Sequence, residues 1–126
     1  MEERDVLARV GSVARLELCK ELYVLSRWNL TEKHWYHGKP TYHTPYPWEC
    51  PAYDLNMLLE KLPQNSWVGY VDTSGQRGYA LAKTYAWNAQ GDDIEKIAEC
   101  RGETLEDAAC KVAIELWRRG VLKRDI

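Results

Sequence analysis

Three histidines and a cysteine, His34, His37, His43 and Cys50, fall in one stretch, residues 27–53, RWNLTEKHWYHGKPTYHTPYPWECPAY. Imidazole nitrogen and thiolate sulfur are the ligands zinc prefers, and a cysteine beside a histidine is the pairing that activates a nucleophile. The spacing His34-x2-His37-x5-His43-x6-Cys50 matches no strong zinc signature, and the prolines around it limit how four ligands converge. A nucleophilic cysteine also needs an oriented base and an oxyanion site, which the sequence does not reveal. No Gly-rich phosphate loop, paired-carboxylate motif or nucleophile elbow occurs elsewhere. A metal-dependent hydrolase is therefore the third reading, and the expectation is a protein without catalytic residues, metal or cofactor.

The same stretch holds four of the five prolines and half of the aromatic residues. Prolines exclude a regular helix, and the ring density is too high for an idle linker. Exposed rings stack nucleobases, while lysine or arginine neutralises phosphate. Trp35, Tyr36, Tyr42, Tyr46 and Trp48 are the candidate stacking residues, Lys33, Lys39, Arg77 and Lys83 the candidate cations, and His37 and His43 neutral hydrogen-bonding partners. The competing reading is an aromatic-proline lid that only seals the core. Ring orientation decides between them.

A chain of 126 residues with a formal charge of −2 reads as one domain with a single core. That charge argues against a dedicated duplex-DNA binder but leaves room for a small anion. No apolar run reaches the length needed to span a bilayer, and MEERDVLARV lacks the apolar core of an export signal, so no membrane partner and no secretion are expected. The four cysteines form no C-x-x-C pair and read as reduced, mostly buried thiols.

The positioning elements follow from periodicity. Leu7, Val10, Ala14, Leu18, Leu22 and Leu25 recur at helical spacing and predict a helix over 3–26, with Gly11-Ser12 as an internal break. Asp54 caps a short helix that Pro63 closes. A strand is expected over 66–73, a return strand over 79–88 and a weaker third strand over 96–101. The return strand alternates Tyr79, Leu81, Lys83, Tyr85 and Trp87 on one face with Ala80, Ala82, Thr84 and Ala86 on the other. Small alanines admit a helix closely. The large rings imply a second covering layer, or else a face that meets a ligand or another subunit. The last helix opens at Thr104, with Asp107 as a near-capping-box partner, and ends with Gly120 at its C′ position. The expected fold is α+β: a small antiparallel sheet of about three strands packed with helices in an α/β/α sandwich. It comprises an N-terminal helix (3–26), the 27–53 segment and a sandwich core (54–122).

The runs AYDLNMLLEKL (52–62) and AECRGETLEDAACKVAIEL (98–116), with Trp67 between them, resemble the phage ABA sandwich domain. The resemblance covers residues 48–120; the 27–53 insert and the long N-terminal helix depart from it. It implies a phage or prophage origin and an α/β/α sandwich, hence the cytoplasm of an infected bacterium, and it carries no established enzymatic activity from which catalytic residues could be transferred. Together with the rings and cations, it makes the leading expectation an accessory protein that sequesters a small nucleotide signal of host defence. The second expectation is an interaction module that inhibits a host protein. Surplus aromatics are compatible with a homo-oligomer in either case.

Overall fold

The computed structural model describes residues 12–29, 31–73 and 76–123. The fold is α+β. The described elements are α1 (Leu16–Ser26), β1 (Lys33–Tyr36), β2 (Lys39–Tyr42), β3 (Cys50–Pro51), α2 (Leu55–Lys61), β4 (Ser66–Thr73), β5 (Gln76–Trp87), β6 (Ile94–Gly102) and α3 (Leu105–Arg118). They form two antiparallel three-stranded sheets, ordered β2-β1-β3 and β4-β5-β6.

The centre of the molecule is α3. Its first turn is held as expected: Thr104 Oγ1 accepts the Asp107 N–H at 3.1 Å. Its end is a Schellman motif, in which Gly120 (φ 78°) donates to the Trp117 carbonyl and Val121 to that of Leu116. Between these caps Ala108, Ala109, Cys110, Val112, Ala113, Ile114 and Leu116 are all buried. An apolar face this wide, interrupted only by the Lys111, Glu115 and Arg118 stripe, must be covered on more than one side. Here the large sheet packs on one side, with Ala80, Ala82 and Ala98 in the shared core, and α1 and α2 pack on another. Thr84, also fully buried on the inner face, is satisfied by the Ser66 hydroxyl at 2.8 Å.

The described part of the expected N-terminal helix is α1, which starts at Leu16. Residues 3–11 of that expectation lie outside the described residues. Within 12–15 the chain is not helical: Val13 bridges Asp54, and the Ala14 N–H donates to the Tyr53 carbonyl at 2.9 Å. The Arg15 N–H, at the N-cap of α1, donates to the Asp107 carboxylate at 2.9 Å. Asp107 thus joins the starts of two helices, both of whose positive ends favour its charge.

The 27–53 stretch is an ordered small sheet. His37 (φ 51°) and Gly38 (φ 77°) form a two-residue turn between Tyr36 and Lys39. Both have the positive φ that a type I′ hairpin turn requires. Glu49 clips this turn by accepting the Gly38 N–H. The sheet docks through Cys50, Pro51, Ala52 and Tyr53, all buried. The Tyr53 hydroxyl donates to the Trp28 carbonyl at 2.7 Å. The later elements fall close to expectation: Asp54 accepts the Met57 N–H at the start of α2, β4 spans 66–73, and the weakly patterned third strand runs 94–102.

Candidate ligand-binding face

The outer face of the large sheet, turned away from α3, is the site the fold leaves open. Registration fixes its members. On β5 these are Tyr79, Leu81, Lys83, Tyr85 and Trp87; on β4, Val71, Gly69 and Trp67 oppose Tyr79, Leu81 and Lys83. On β6, Arg101, Glu99, Lys96 and Ile94 oppose Leu81, Lys83, Tyr85 and Trp87. A bulge between Thr84 and Tyr85 in the β5–β6 register keeps Lys96 and Ile94 on this face and sends Ile97 toward the core. The expected second covering layer is not found among the described residues: Trp67, Trp87 and Ile94 are 45%, 63% and 49% exposed. Leu81 is the exception, at 4% exposed beneath its larger neighbours.

Trp67 lies down across the sheet. A Cβ on Gly69 would stand 2.6 Å from the Trp67 ring, so the missing side chain is what admits the indole. Lys83 Nζ sits 5.8 Å from the centre of that ring, and the Arg101 guanidinium lies 4.1 Å from the Tyr79 ring. Both distances are within cation–π range. One carboxylate, Glu99, stands among the cations. Its bond to Lys96 (2.7 Å) holds it below the usual carboxylate range, with Lys83 and Arg101 adding to the pull. Lys83, Lys96 and Arg101 against Glu99 leave this face positive in a chain whose formal charge is −2.

The residues singled out from sequence divide between two surfaces. Lys83 is on this outer face. Arg77 belongs to β5, but its side chain lies outside the described residues. The others belong to the small sheet and its loops. Trp35 is half-buried against the core, with its indole Nε1 enclosed on the side of the Cys19 thiol. Trp48 is the hub of a ring cluster, 4.3 Å from His34, 5.7 Å from Tyr46 and 5.9 Å from Tyr23 between centroids. Tyr46 is 80% exposed and Tyr36 packs edge-on against His37. His37 and His43 are exposed at positive-φ turn positions. Tyr42, with Lys33 Nζ 4.7 Å above it, walls a cleft of about 360 Å³ against α2, which Lys61 also lines. Glu32, Asp54 and Glu60 share that cleft, so its charge is mixed and suits an anion less well than the sheet face.

Cys50 is 1% exposed and burial pushes its thiol up to about 12; burial likewise raises Cys19 to about 11. Neither supplies a thiolate at neutral pH. Among the described residues no three His, Cys, Asp or Glu side chains gather to hold a metal ion, and no helix is long and apolar enough to cross a membrane. The site residues the sequence pointed to least were Trp67, Tyr79, Tyr85, Trp87 and Arg101. The signal for Tyr79, Tyr85 and Trp87 was the alternation of β5, which shows a ring face but not whether anything covers it; Trp67 and Arg101 lie on β4 and β6 and join them only through the strand registers.

No family model matches the chain, and comparison with the curated proteins and with the solved structures likewise finds no match.

Proposed function

We propose that this protein is a non-enzymatic binding protein for a planar, anionic ligand of the nucleotide class, held by stacking and charge on the outer face of the large sheet. One observation carries the reading: an uncovered sheet face that exposes Trp67 beside Lys83 and Trp87 further along β5, with Arg101 over the Tyr79 ring. Rings on an open sheet supply π-faces to any base, and adjacent cations meet its phosphate. A phage accessory protein that withdraws a small nucleotide signal of host defence is one member of this class. That finer reading rests on the resemblance over residues 48–120.

Thermal shift of the purified chain with nucleoside mono-, di- and triphosphates and cyclic nucleotides tests the class, together with assay of nucleotide released on heat denaturation. A shift or a released nucleotide is expected. Neither, with no binding of any oligonucleotide, would end the proposal.

A protein partner is the second reading, favoured by one feature. Trp87 and Ile94 are cross-strand neighbours, both largely exposed, and make an apolar patch at the end of the face. Recovery of a stoichiometric host protein that Trp87→Ala releases would favour this reading over the first. Self-association lost in the same variant would assign the patch to a second copy.

A further inference from the structure

The proposed face is long and open, whereas a pocket for one small ligand is concave and buries most of what it holds. Its stacking positions are also spread out. Tyr79 and Trp87 point the same way eight residues apart on β5, with Trp67 midway between them, opposite Lys83. At 3.3 Å per residue the three positions span about 26 Å, with roughly 13 Å between neighbours. A single nucleotide reaches one of them. Cations accompany them along the same line: Arg101 at Tyr79, Lys83 at Trp67, and Lys96 opposite Tyr85 next to Trp87.

We infer that the ligand of this face is a single-stranded nucleic acid segment, of about four nucleotides or more, lying along β5 with its bases on the rings and its phosphates toward Lys83, Lys96 and Arg101. This rests on the nucleotide-class reading above and specifies the ligand's length and form. Interleaved rings and cations recur along one line, as a strand of repeating base and phosphate requires. Duplex is excluded as the occupant because its bases are stacked on one another and cannot reach the rings. Three phosphate contacts on a single strand give a slope of about −2 in log K against log salt concentration. Glu99 is the one opposing charge on this face among the described residues, so Glu99→Gln tightens binding.

Fluorescence anisotropy of labelled oligodeoxythymidines of increasing length, with unlabelled thymidine monophosphate as competitor and a duplex control, provides the test on the full chain. Affinity is expected to rise with length up to about four nucleotides, to weaken about tenfold or more in Trp87→Ala, and to exceed that for duplex. Lys83→Gln and Arg101→Gln should each flatten the salt dependence, and Glu99→Gln should tighten binding. These exposed or half-exposed positions leave folding intact, which the melting temperature checks. Thymidine monophosphate binding as tightly as the longest oligomer would overturn the extended ligand and leave the nucleotide reading standing. Duplex binding equally well, or oligomer binding unchanged in Trp67→Ala and Trp87→Ala, would overturn the inference by showing plain charge attraction or a different site. Binding of neither oligomer nor any nucleotide overturns both.

Discussion

Trp67 and Trp87 differ from the other four tryptophans in what their loss should do. Trp28, Trp35, Trp48 and Trp117 are all half-buried among neighbouring rings or against the core. Truncating Trp35 to alanine is expected to cost about 3 kcal/mol of stability, the low end for large buried aromatics. Truncating Trp87, which is 63% exposed, should change stability by less than about 0.5 kcal/mol while weakening ligand binding. Denaturant unfolding beside a binding titration separates the two effects, and comparable stability losses would contradict the distinction. His34 gives a pH dependence. Its ring lies against Trp48, with Nε2 bonded to Asn29 Oδ1 at 2.7 Å, and burial lowers its pKa below the ordinary 6.5. Protonation is then harder in the folded chain than in the unfolded one. Its stability contribution is present above pH 6.5 and is lost as pH falls through the folded value. Melting temperatures measured between about pH 7.5 and 5 should fall less steeply in His34→Gln than in the natural chain, and identical slopes would contradict this.

The elements that were legible in the sequence are those whose determinants are local. The ends of α3 are set by Thr104 and Gly120 within a turn of each boundary, and α2 is set by Asp54 three residues from the N–H it caps. Elements defined by distant partners were less legible. The start of α1 depends on Tyr53 and Asp107, and helical periodicity upstream carries no trace of either contact. The β1–β2 hairpin was hidden because its turn is His37-Gly38 rather than a common hairpin pair, and because Pro40 lies inside the edge strand β2. Trp67 required the β4–β5 register before it could be set beside Lys83. Two substitutions test the elements directly. Leu116→Ala removes a fully buried side chain from the helix that touches the sheet, α1 and α2, and should cost about 2–5 kcal/mol by denaturant titration. Gly69→Val places carbon where the Trp67 ring lies. It should displace the ring and weaken binding more than its stability loss explains, whereas unchanged binding would show that the ring's position does not matter.

In the whole molecule, α3 lies against the large sheet, α1 and α2, and the small sheet docks on α1 through β3. This arrangement spends the alanine-rich face of β5 on packing and leaves its ring-bearing face with no partner among the described residues. The 27–53 stretch, which has the highest density of rings, uses Trp35, Trp48 and Tyr53 to build itself and to dock. Only Tyr42, Tyr46, His37 and His43 are left at its surface. Specificity therefore moves, in this account, from the conspicuous stretch to a face assembled from three strands. The most direct test follows the six indole N–H resonances of ¹⁵N-labelled protein, assigned by single Trp→Phe variants, during titration with oligodeoxythymidine. Trp67 and Trp87 are expected to shift while Trp28, Trp35 and Trp117 stay in place. Shifts confined to Trp48 and Trp35, or none at saturating ligand, would contradict it.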